Sequence, residues 1–90
     1  MAVYLVTFKL GNPNADPSSL VGAIKKLGNG WMYYIPNVVF INSNEGANAL
    51  SMKLLPLITK DDYIFITRIT SDQQGWLPKD AWKWLNGTHY

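Results

Sequence analysis

The sequence predicts an α+β domain: a four-stranded antiparallel sheet with two helices on one face and a third helix appended at the C-terminus. Three observations carry that prediction. The runs Ala2-Val3-Tyr4-Leu5-Val6-Thr7-Phe8-Lys9-Leu10 and Tyr63-Ile64-Phe65-Ile66-Thr67-Arg68-Ile69-Thr70 are rich in β-branched and aromatic residues. Both are apolar on each alternating position until Lys9 and Arg68, as strands covered on two faces are. Between them lie two stretches with apolar residues at helical spacing, separated by two short β-rich runs.

The elements follow in order. Gly11-Asn12-Pro13-Asn14-Ala15-Asp16 is a loop by composition. Asp16 is suited to cap a helix N-terminus, and Pro17 costs nothing at the first helical position, where its N–H would have no partner anyway. Leu20, Ile24 and Leu27, with Val21 and Ala23 beside them, form one apolar stripe. Lys25 and Lys26 suit the negative end of the helix dipole, and Gly28 is expected to close the helix in a left-handed conformation. Trp31 to Ile35 and Val38 to Ile41, split by Pro36-Asn37, read as a β-hairpin. Ser43 or Asn44 is expected to cap a second helix carrying Ala47, Leu50, Leu54 and Leu57 on one side. Pro56 cannot donate to an earlier carbonyl, so regular helix should stop near Leu54 or Leu55. After the last strand, Pro78 opens a short helix from Lys79 to Leu85, closed by Asn86-Gly87.

Strand, helix, strand, strand, helix, strand is the split βαβ order of the ferredoxin-like fold. Right-handed crossovers are taken to set the first and last strands side by side and parallel in the middle of the sheet. One face of that sheet takes the two helices. The other face, presenting either Val3, Leu5 and Thr7 or Tyr4, Val6 and Phe8, needs a cover from a partner subunit or the third helix.

Composition narrows the function classes. Ninety residues suit one domain, here a core over 1–70 and an extension over 71–90. A chain of this size buries only roughly 60–65% of its unfolded surface, and oligomerisation is a common remedy. With no cysteine there is no disulfide, thiolate nucleophile or Cys-based zinc site. The Met1-Ala2-Val3 start lacks a basic leader region, and no apolar run approaches the ~20 residues of a membrane span; the expectation is a cytoplasmic protein with no membrane partner. A net charge of +2 with a single Arg is poor equipment for a dedicated phosphate binder.

Four segments, Tyr4-Leu5-Val6-Thr7-Phe8-Lys9-Leu10, Ala23-Ile24-Lys25-Lys26-Leu27-Gly28, Leu54-Leu55-Pro56-Leu57-Ile58 and Asp62-Tyr63-Ile64-Phe65-Ile66, resemble the small SinR-like family. That family is related to the CRISPR-associated small nuclease-fold subunit of the adaptation complex. The resemblance covers about residues 2–70, and the tail from Gly75 to Leu85 looks like an extension some members carry. It implies a ferredoxin-like domain that pairs as a homodimer through its sheets. In the CRISPR relatives an aspartate follows the aromatic that ends the first strand, and two such aspartates are proposed to hold a metal ion. Here the matching pair is Phe8-Lys9, and a protonated lysine repels Mg²⁺.

The remaining candidates are few. His89, the single histidine, sits in the tail and reads as solvated. Asp61-Asp62 is the only adjacent carboxylate pair and reads as a turn rather than a metal or acid–base site. Trp76, Trp82 and Trp84, interleaved with Lys79 and Lys83, could stack bases and touch phosphates, but packing on the sheet or a dimer partner is the stronger reading. Val3 and Leu5 join these tryptophans as the expected dimer or packing surface. Lys9 and Arg68, placed near one edge of the central ribbon by parallel pairing, would make a cationic spot for phosphate or, preferably, pair with Asp16 and Asp72 at the rim. The sequence therefore points to a non-catalytic homodimeric binding or scaffold module without cofactor, metal or small-molecule ligand. A metal-dependent ribonuclease or deoxyribonuclease is one alternative. Nucleic-acid binding without chemistry, through Lys9, Arg68, Lys79 and Lys83, is another.

Overall fold

Strand β1 (Ala2–Lys9) is hydrogen-bonded on both sides and buries Val3, Tyr4, Val6 and Phe8, so it carries the sheet. The computed structural model describes residues 2–87. After β1 come α1 (Ser18–Leu27), β2 (Gly30–Ile35), β3 (Val38–Ser43), α2 (Ala47–Leu54), a 3₁₀ turn (Leu55–Leu57), β4 (Tyr63–Arg68) and α3 (Lys79–Asn86). The four strands form one antiparallel sheet in the order β2-β3-β1-β4. This small α+β arrangement is compatible with a ferredoxin-like fold.

Two expectations about the sheet are corrected. β4 lies at an edge, and β3, not β4, shares the centre with β1. β4 also runs antiparallel to β1, with Tyr4 opposite Arg68 and Lys9 opposite Tyr63. A right-handed return through α2 reaches β1 from the side that β3 leaves open, and that outer position is the edge.

The two faces of the sheet are covered unequally. On the helix face, Tyr4, Val6 and Phe8 meet Val39 and Ile41 beneath Leu20, Val21 and Ile24 of α1 and Leu50 and Leu54 of α2. Opposite this, on the back face, Met32 packs with Ala81 and Leu85 of α3, flanked by Phe40, Ile69, Leu77, Trp82 and Trp84. The third helix therefore supplies part of the cover that the strand pattern demanded. It reaches only the part of the sheet near β2.

Local chemistry fixes the connections. Asp16 Oδ1 accepts the Ser18 N–H at 2.9 Å and the Ser18 hydroxyl at 2.7 Å, so it ties the start of α1 from one residue further out than expected, because Pro17 itself occupies the N-cap position. Pro36-Asn37 makes the hairpin turn, with Asn37 in the left-handed region (φ 62°). The Asn37 carbonyl then accepts from the Phe8 N–H and the Thr7 hydroxyl, tying the turn to the end of β1. α2 stops at Leu54 and Pro56 falls in the 3₁₀ turn, as its missing donor requires. Leu57, expected on the buried side, is exposed at the end of that turn.

Gly28 and the α2 cap differ from expectation. Gly28 is extended (φ −103°), not left-handed. A Cβ there would lie 2.8 Å from both the Asn42 carbonyl oxygen and Ile41 Cβ, so glycine is needed for a close approach to β3. Neither Ser43 nor Asn44 caps α2, which begins after Gly46; the Ser43 hydroxyl accepts the Glu45 N–H instead.

Asp62 closes the opposite end of the sheet. Its carboxylate accepts the Thr59 N–H at 2.9 Å and the Gly11 N–H at 2.8 Å, joining the turn before β4 to the loop after β1. Gly11 approaches so closely that a Cβ would fall 2.5 Å from the Asp61 carbonyl oxygen. These donors, Thr59 first and then Gly11, hold the Asp62 carboxyl below its ordinary pKa. A folded-state pKa below the unfolded one stabilises fully above the ordinary carboxylate range and is lost as pH falls through the folded value. Asp62→Asn is therefore expected to lower Tm at pH 7, with the gap from the parent protein closing below about pH 4. Thermal unfolding of both proteins between neutral and acid pH measures that gap.

Candidate interaction surface

Strand register assigns each back-face residue to a row. Thr7 stands opposite Val38 on one side and Phe65 on the other, and Val38 pairs in turn with Ile35. This row, with Lys9 and Tyr63 beyond it, lies past the reach of α3. Ile35 is 42% exposed, Phe65 62% and Tyr63 69%. Next to it, Leu5 and Phe40 floor an open groove of about 600 Å³, walled by Leu77 and Trp82 and bordered by Arg68 and Trp76. Monomers seldom leave aromatic and aliphatic side chains contiguous and exposed in this way unless the area meets something.

The residues singled out in the sequence divide sharply. Val3 is completely buried within the chain, so it packs internally and offers no surface to a partner. Leu5 is half-buried on the groove floor. Trp76 is wholly exposed, while Trp82 and Trp84 pack partly buried against Met32, Ala81 and Leu85. α3 lies over β2 closely enough for both rings to reach the sheet, as the packing reading expects.

The cationic candidates are not brought together. Lys9 and Arg68 occupy opposite ends of the β1–β4 ribbon, five residue steps apart, or about 17 Å along the strand. The shared cationic spot depended on parallel pairing and is lost with it. Neither pairs with Asp16 or Asp72; among the described residues the ion pair is Lys53–Glu45, at 2.7 Å. Lys79 and Lys83 are exposed on α3. Among the described residues no three His, Asp or Glu side chains converge as metal ligands. Asp61 is exposed at the turn and Asp62 is occupied by its backbone donors. His89 lies outside the described residues. No described helix is long and apolar enough to cross a membrane.

Sequence reasoning missed Tyr63, Phe65 and Ile35 as surface residues. An apolar strand reads the same at a sheet's edge as at its centre. It also missed the Lys25 ammonium, which stands 3.9 Å from the centre of the Trp31 ring and 5.3 Å from that of Tyr33. That contact screens the β2 side of the sheet and contributes about 0.5–1 kcal/mol at an exposed site.

No family model matches the chain, and neither a curated protein nor a solved structure is significantly similar to it.

The tryptophans of the tail are expected to separate by role. Trp76→Ala should change unfolding free energy by less than ~0.5 kcal/mol, as for an isolated surface side chain. Leu85→Ala, which empties the packing between α3 and the sheet, should cost about 2–5 kcal/mol. Urea unfolding of the two variants makes the comparison.

Proposed function

We propose that this chain is a non-catalytic, homodimeric binding or scaffold module of the ferredoxin-like kind, working in the cytoplasm. One observation carries the reading: Tyr63 and Phe65 are more than half exposed on an edge strand, beside an apolar groove left open by α3. A second copy of the chain is the partner that would cover these rings, and the groove is the surface left for binding. The small size of the chain supports this, because pairing adds buried apolar area that one copy cannot supply.

Lys9 supports the non-catalytic part. It is exposed at the end of β1, where the nuclease-fold relatives of the SinR-like family would carry a metal-binding aspartate. Kinship with that family belongs to the same proposal and rests on the segments quoted above. The distance between Lys9 and Arg68 weakens the nucleic-acid alternative, since a phosphate-binding spot needs its cations close together.

Light scattering on a size-exclusion column at micromolar concentration tests the reading. A particle of twice the 10.1 kDa chain mass is expected. A clean species of 10.1 kDa across the concentration range would overturn it.

A further inference from the structure

We propose that two copies of this chain join edge to edge through β4, antiparallel about a twofold axis at Phe65, extending the four-stranded sheet to eight. This rests on the homodimeric reading and specifies its geometry. Ile69 N–H donates to the Val3 carbonyl at 2.9 Å, making Val3 and Ile69 a hydrogen-bonded pair in continuation of the β1–β4 register. Antiparallel ladders alternate, so Thr67, Phe65 and Tyr63 turn their N–H and C=O groups toward β1. Ile64 and Ile66 turn theirs outward, to an edge beyond which no further strand lies among the described residues.

The two edges of the sheet are treated differently. β2 breaks its pairing with an irregularity between Met32 and Ile35, and Pro36 follows it. Bulges and prolines are the devices that keep an edge from pairing. β4 has neither: it pairs with β1 without interruption over all six residues, and Tyr63-Ile64-Phe65-Ile66-Thr67 contains no Lys, Pro or Gly. It is the edge left competent to pair.

Charge then selects the register. Only alignments that set outward-facing residues of one copy against outward-facing residues of the other can form the ladder. Among these, the alignment with Phe65 on the axis brings Ile64 opposite Ile66 of the second copy and Arg68 opposite its Asp62, twice by symmetry. Arg68 is exposed, and each Asp62 carboxylate oxygen takes only one backbone donor, which leaves a lone pair on each for a guanidinium. Shifting by two residues in the direction of Ile66 sets Arg68 against Ile64 and leaves both charges without a mate. In the chosen register Tyr63, Phe65 and Thr67 of both copies become neighbours on the back face, and the two grooves open on the same side of one sheet.

The chain has no cysteine, which allows single-cysteine trapping. Phe65→Cys is tolerable at a position 62% exposed, and the twofold axis would bring the two Cα atoms to about 4.5 Å, a non-hydrogen-bonded antiparallel pair. That lies within disulfide range. In the same register Thr67 of one copy is about 14 Å from Thr67 of the other, too far to bridge. The expected result is that mild oxidation converts most of the Phe65→Cys protein to a covalent dimer and leaves Thr67→Cys uncrosslinked. Arg68→Glu should weaken the unmodified dimer by about tenfold through two repulsive contacts with Asp62. A dimer by light scattering in which Phe65→Cys stays uncrosslinked, or both cysteines crosslink equally, overturns the β4 register while leaving the homodimer intact. A monomer at every concentration overturns the homodimer itself.

Discussion

A central strand apolar on both faces must be covered twice, and that requirement governs this chain. β1 has Tyr4, Val6 and Phe8 on one face and Val3, Leu5 and Thr7 on the other. The first set is enclosed by α1 and α2, whose apolar stripes match it. The second is left to a single eight-residue helix, α3. Such a helix is about 12 Å long, too short to span the sheet, so its cover centres on Met32 and Phe40 and stops. The exposed row from Ile35 to Phe65 is the remainder of that shortage.

The position of α3 has a further consequence. By lying over β2 it leaves β4 as the strand with both an open edge and open aromatics. β2 is guarded by its irregular pairing, by Pro36 and by Lys25 over the Trp31 ring. Asp62 gives β4 a firm start by holding the loops after β1 and before β4 together, so the edge is presented as a regular template. Rigidity matters here because pairing two ordered strands loses less conformational entropy than ordering two loose ones. Fold, edge and groove thus follow from one strand with too little cover.

Much of this was legible in the residues. Asp16 and Pro17 announced the start of α1, Pro36-Asn37 the hairpin, Pro56 the end of α2 and Pro78 the start of α3; each acts through local backbone chemistry that the sequence carries whole. What escaped depended on tertiary placement. The run Tyr63 to Thr67 has the same apolar pattern whether β4 is central or at an edge, so its exposed aromatics were read as buried. Val3 and Leu5 share one face of β1, yet Val3 is fully enclosed and Leu5 is left on the groove floor. Gly28 looked like a left-handed cap, but its constraint is the nearness of β3. Lys9 and Arg68 were paired by an assumed strand direction, and the antiparallel register parts them.

Amide hydrogen exchange along β4, followed as a function of protein concentration, tests the edge pairing most directly. The Phe65 and Thr67 amides face β1 and should be protected at any concentration. Those of Ile64 and Ile66 face the open edge and should gain protection as concentration rises and the second copy supplies their acceptors. Rapid, concentration-independent exchange at Ile64 and Ile66 in a sample that is dimeric by light scattering would contradict pairing through β4.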